Sequence, residues 1–154
     1  MTERSVTHAT FTIERTYEAS PARVFAAWAQ LEAKTRWSSC HDGAQHELDF
    51  RVGGQELYRG GPPGGPIYTN DTRYQDIVPD QRIVYTYEMR RDDTRISVSV
   101  VTVELKPSGA GTRMIFTEQG AFLDGHDTPA QREHGTQIGM DNLGATLRRE
   151  PVSA

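Results

Sequence analysis

The side chains best suited to chemistry in this sequence are one histidine, one glutamate and a set of tyrosines. His134 lies one helical turn ahead of Ile138. With an ordinary pKa of ~6.5, an imidazole there could orient a ligand or carry a proton near neutrality. Glu118 falls at the end of a strand pattern. Buried, its carboxyl would gain a raised pKa and act as an acid; facing solvent, it would do neither. Tyr85, Tyr87 and Met89 recur at alternate positions of one strand, Met114, Phe116 and Glu118 of another, and Tyr58, Tyr68 and Tyr74 fall on neighbouring strands. Apolar rings with polar tips suit a pocket for an aromatic molecule. They suit equally a filled core whose hydroxyls reach water at the strand edges. Arg15 interrupts the apolar face of the first strand. An inward arginine requires a carboxylate, and Glu118 or Glu88 are the candidates for an ion pair.

Other clusters carry less. Cys40 is the single cysteine and adjoins His41 in a polar loop, SSCHDGAQ, where neighbours in sequence need not face each other; an incidental thiol is favoured over a nucleophile. His41 and His46 lack the tight spacing of a metal site. GGPPGGP at 60–66 has neither the lysine nor the following helix of a phosphate loop. RRDD at 90–93 reads as a solvated hairpin turn. No nucleophilic triad has a signature here, so no catalytic residue, metal or cofactor is assigned.

The elements that must position these groups follow from periodicity. Residues 9–17 alternate as a half-buried strand, with Phe11, Ile13 and Tyr17 on one face. Ser20-Pro21 opens a helix whose apolar face is Val24, Phe25 and Trp28, and a second short helix is expected over 31–37. Strands are expected over 46–52, 55–59, 67–78, 82–89, 94–105 and 112–118, separated by turns at Gly53-Gly54, 60–66, Pro79-Asp80 and 107–111. Along 94–105 the apolar phase slips, from Ile96, Val98 and Val100 to Val101, Val103 and Leu105. That predicts a bulge, or a strand covered on different faces at its two ends. Consecutive strands with hairpin-length connections make an antiparallel sheet, and only the C-terminal helix is long enough to cover it.

That helix begins at Thr128-Pro129, with Thr128 or Asp127 as cap and Gln131 at the third position, and Pro151 marks its end. Met140, Leu143 and Leu147 form its apolar stripe. Upstream the row continues through Gly135 and Gly139, and Gly144 is a third glycine. Each interior glycine costs roughly 0.5–1 kcal/mol relative to alanine. Such a helix gains from the missing side chains, by close approach of another group or by leaving space for a ligand.

Composition sets the outer limits. The chain has 154 residues, 36% hydrophobic and 25% charged, with a net charge of −4. This fits one folded domain over 1–154 and gives no basic footprint for nucleic acid. No stretch approaches ~18 consecutive apolar residues, and no signal-peptide core is evident. A lone cysteine fits a cytoplasmic setting.

Seven motifs in order resemble one family. They are ASPARVFAAW at 19–28, Trp37, DFRVGG at 49–54, VPDQRIVYTYE at 78–88, SVVTVEL at 99–105, GTRMIFTEQG at 111–120 and EHGTQIGMDNL at 133–143. The chain is similar over 8–149 to the START-like helix-grip (SRPBCC) superfamily, and within it to the family named for the activator of the heat-shock-protein-90 ATPase. Where that family commonly has tryptophan, this chain has Met140. The resemblance implies an α+β helix-grip fold: a curved antiparallel sheet of about seven strands wrapped on a long C-terminal helix, with two short helices at one end. It implies a cavity between sheet and helix. The candidates to line it are Tyr58, Tyr74, Tyr85, Tyr87, Met89, Phe116 and Glu118 from the sheet, Trp28 and Trp37 from the short helices, and His134, Ile138 and Met140 from the long one. The expected function is binding of a small hydrophobic or aromatic molecule. The alternatives are a cyclase- or hydrolase-type enzyme using Tyr, His134 or Glu118 as acid and base, and a co-chaperone-like interaction protein. A homodimer is compatible with all three.

Overall fold

The computed structural model describes residues 3–38 and 43–149. Cys40 and His41 lie outside the described residues, as does Pro151. The elements run β1 (Val6–Tyr17), α1 (Pro21–Ala29), α2 (Leu31–Ser38), β2 (Gln45–Leu48), β3 (Gln55–Gly60), β4 (Tyr68–Val78), β5 (Arg82–Arg91), β6 (Thr94–Ser108), β7 (Gly111–Leu123) and α3 (Pro129–Arg149). The seven strands form one antiparallel sheet in the order β1-β7-β6-β5-β4-β3-β2. All neighbours but one are sequential hairpins; the exception is β1, which pairs with β7 in register from Val6↔Leu123 to Tyr17↔Thr112.

The helix starts follow from their caps. Ser20 accepts from the Arg23 amide at 3.2 Å, and Pro21 occupies the first turn, where no amide is needed. Thr128 Oγ1 accepts from the Gln131 amide at 3.1 Å and is the cap of α3. Asp127 instead receives the Thr128 amide at 2.8 Å and turns its other oxygen to Arg132. The turn between β5 and β6 falls within RRDD, with Asp92 at φ 53.

Alternation places Phe11, Ile13 and Tyr17 of β1, Tyr74 of β4, Ile83 and Tyr87 of β5 and Met114, Phe116 and Glu118 of β7 in the interior. Helix α3 meets them with Met140, Leu143 and Leu147. Each such apolar side chain contributes ~1.5–3 kcal/mol by leaving water.

Three expectations change. Strand β2 stops at Leu48, since the Arg51 and Gly54 amides bond back to Asp49 and Arg51 carbonyls in a tight turn. Strand β7 continues five residues beyond Glu118, held there by pairing with the start of β1. The phase slip of β6 has another cause than a bulge between Val100 and Val101. The inward set runs unbroken through Ser97, Ser99, Val101, Val103 and Leu105, while Val98 and Val100 are 45% and 39% exposed on the outer face. The register shift lies earlier, where Met89 pairs with Ser97 but Arg90 with Arg95, leaving Ile96 as the extra residue. Serines face inward because buried charged groups there need partners.

Candidate ligand-binding cavity

A cavity of about 520 Å³ lies between the concave sheet face and α3, with α1 and α2 at one end. The glycines of α3 divide between both uses of a missing side chain. A Cβ at Gly135 or Gly139 would meet no atom within 4 Å, and both belong to the cavity wall. A Cβ at Gly144 would sit 3.1 Å from Tyr17 Cε1. The Tyr17 ring lies over that glycine, and its hydroxyl donates to the Met140 carbonyl at 2.8 Å. Close approach therefore fixes the C-terminal half of the helix, and open space begins one turn upstream.

Two buried ionic clusters flank the cavity. At the α2 end, Lys34 Nζ donates to Glu56 Oε1 at 2.5 Å and to Tyr74 Oη at 3.1 Å. Tyr74 donates to the same Glu56 oxygen, and His46 Nε2 lies 2.7 Å from the other. His46 Nδ1 is 3.0 Å from Thr35 Oγ1. Lys34 and Glu56 are each 6% exposed, so neither could stay charged without the other. Burial alone would push the Glu56 carboxyl up. The Lys34 ammonium and the hydrogen bonds from His46, Lys34 and Tyr74 outweigh it and hold the group down at about 2. Three rings surround Lys34 Nζ, with centroids 5.3 Å away for Trp28 and 5.8 Å for both Tyr74 and Tyr85.

At the opposite end, Arg132 Nη1 of α3 reaches Glu118 Oε2 at 3.1 Å and Tyr87 Oη at 2.8 Å. Its Nη2 donates to Ser97 Oγ at 2.7 Å and Asp127 Oδ2 at 3.0 Å. Glu118 Oε2 also accepts from Tyr87 and Ser99, each at 2.7 Å. Burial opposes the charge of Arg132, but Tyr87, Glu118 and Asp127 outweigh it and raise its pKa. The Tyr87 phenol is pushed well up, by burial first and then by the Glu118 carboxylate.

Of the side chains expected at the cavity, Trp28, Trp37, Tyr58, Tyr85, Tyr87, Met89, Phe116, Glu118, Ile138 and Met140 are brought together in its wall. Tyr74 stands behind the wall, fully buried, with its hydroxyl committed to Glu56. His134 is exposed on the solvent side of α3 and outside the wall, because the inward row of that helix passes through Arg132, Thr136 and Met140. Arg15 bonds Asp141 at 2.9 Å rather than Glu118 or Glu88, and Glu88 is taken by Arg90 and Arg95. His46 is held by Glu56 and Thr35, and among the described residues no group of three His, Cys, Asp or Glu is placed to hold a metal ion.

The charged residues of the two clusters were mostly missed, although the sequence carries a signal for each. Lys34 is one turn before Trp37 on the same face of α2. Arg132 lies on the stripe of Met140, Leu143 and Leu147 extended two turns back through Thr136. Glu56 is the inward position of β3, between the outward Gln55 and Leu57. A charged residue in an inward phase is the mark of a buried pair.

A seven-stranded antiparallel sheet gripping a C-terminal helix over such a cavity defines the START-like helix-grip class, and members of this fold commonly bind hydrophobic ligands. Within it, the chain belongs to the family described as Activator of Hsp90 ATPase homolog 1-like protein, which it matches over residues 18–148. It is similar to a protein from Rhizobium leguminosarum at 47% identity, with a TM-score of 0.91, covering 97% of this chain and 100% of that one. It is similar to Mll3558 from Rhizobium loti at 52% identity and a TM-score of 0.88, covering 92% and 99%. DynU16, from the dynemicin biosynthetic locus, shares the fold at 12% identity and a TM-score of 0.69, covering 91% of this chain and 47% of that one. No curated protein matches the chain. Among the described residues, no helix is long and apolar enough to cross a membrane.

Proposed function

We propose that this protein binds a small, largely apolar or aromatic molecule in the cavity between the sheet and α3. The observation that carries this reading is the pair Gly135 and Gly139. They remove side chains from the helix where nothing else fills the space, although each costs helix stability. The aromatic wall of Trp28, Tyr85 and Phe116 supports it. Trp28 lies 6.5 Å from Tyr85 and 6.3 Å from Phe116 between ring centroids. A volume of about 520 Å³ is in the ordinary range of small-molecule sites.

The test is Gly139→Leu, which puts an isobutyl group into the open space. Ligand-library thermal shift and native mass spectrometry on wild type should find binders, and G139L should lose them while keeping its far-UV spectrum. Binders that hold equally well to G139L would remove the helix-lined cavity as their site.

A further inference from the structure

Among the described residues, four buried side-chain polar atoms have no hydrogen-bond partner: Trp28 Nε1, Tyr58 Oη, Asn70 Oδ1 and Thr146 Oγ1. The first three belong to residues of the cavity wall. Buried polar groups are ordinarily paired, because an unpaired one costs ~1–3 kcal/mol. An occupant that brings polar atoms of its own suits a wall of this kind.

The tyrosines show where. Tyr74, Tyr85 and Tyr87 stand in a row, with ring centroids 5.8 Å and 6.1 Å apart. The outer two donate to the buried carboxylates, Tyr74 to Glu56 and Tyr87 to Glu118. The middle one, Tyr85, is in the cavity wall and donates to no group of the protein. Its phenol is pushed well up by burial and then by Tyr87 and both carboxylates, so the proton stays on. Beside it, Lys34 Nζ uses two of its three donors on Glu56 and Tyr74. The indole of Trp28, only 2% exposed, backs the corner with its ring face 5.3 Å from Lys34 Nζ.

We infer that the α1–α2 end of the cavity is a carbonyl-oxygen subsite, where Tyr85 Oη and Lys34 Nζ offer their free hydrogens to an acceptor oxygen of a neutral, planar aromatic ligand. This rests on the cavity being a ligand site. Neutrality follows from the charges: Glu56 already balances Lys34, and at the far end Glu118 and Asp127 outnumber Arg132. A full anion would find no uncompensated cation. A conjugated ketone finds only donors at the corner and aromatic rings along its faces.

A matched pair of probes tests this: 9-fluorenone and fluorene share a planar skeleton and differ by a carbonyl in place of a methylene. Titration into wild type and Tyr85→Phe should show fluorenone binding about 10-fold tighter than fluorene to wild type, with the preference falling about 2- to 10-fold in Y85F. Fluorene affinity should not change. The carbonyl stretch of bound fluorenone should lie lower in wild type than in Y85F, a signal that a packing role for Tyr85 would not move. Equal binding of both probes to wild type, or a preference and a stretch unchanged in Y85F, would overturn the subsite and leave the cavity reading standing. Failure of both probes to bind would overturn the two together.

Discussion

Arg132 is the residue whose removal most directly tests the physical account of this interior. Its guanidinium is 6% exposed and reaches Glu118, Tyr87, Ser97 and Asp127, at 3.1, 2.8, 2.7 and 3.0 Å. Arg132→Met keeps the length of the stem but leaves Glu118, 1% exposed, with only Tyr87 and Ser99 as donors to a buried carboxylate. Breaking one partner of such a pair costs ~3–5 kcal/mol, most of it from the charge left behind. The corresponding double variant, R132M with Glu118→Gln, removes both charges and should recover at least about half of that loss. Urea unfolding followed by the fluorescence of Trp28 and Trp37 measures all four corners of the cycle. A loss below about 1 kcal/mol, or a strictly additive cycle, would refute the claim that Arg132 and Glu118 depend on each other for their burial.

The other expectations are narrower. Glu56 is held at about 2 against an ordinary 4.5, so its contribution is present above pH 4.5 and is lost as pH falls towards 2. It is worth on the order of 3 kcal/mol at neutral pH, and chemical denaturation across that window should show the decline, flattened in Glu56→Gln. Gly135→Ala should stabilise the protein by about 0.5–1 kcal/mol, since its Cβ enters open space, whereas Gly144→Ala should destabilise it, since its Cβ would press on Tyr17 at 3.1 Å. Thermal midpoints moving in the same direction for both would count against this division of α3. Loss of ligand in G139L and of the fluorenone preference in Y85F complete the set.

How far the fold was legible depended on whether a residue's partner was local. Ser20-Pro21, Thr128-Pro129 and the alternation of Ile83, Tyr85 and Tyr87 each announce their element within a few positions, and the ordered motifs supplied the architecture. The limits of β7 were not legible from its own residues, because Gln119 to Leu123 extend the strand only by pairing with β1 at the far end of the chain. The site shows the same contrast. The aromatic wall could be placed from strand phase and family order. Arg132 was passed over because its stripe was read by apolar type alone. Ser97 and Ser99 were passed over because the phase of β6 was followed through its apolar residues, although they are the inward members that serve the buried charges.

The pairing of β1 with β7 also has a consequence for how the molecule is built. Strands β2 to β7 can zip together hairpin by hairpin, each turn closing only a short loop. Strand β1 is synthesised before Thr112 to Leu123, the residues that supply its neighbour in the sheet. Closing so long a loop is slow compared with forming a hairpin. Its inward Phe11, Ile13 and Tyr17 remain uncovered until that pairing forms, and Tyr17 is also the ring that seats α3 at Gly144. Docking of the first strand and seating of the last helix are thus coupled through one ring. The chamber beneath that helix therefore depends on a pairing between segments about a hundred residues apart in sequence.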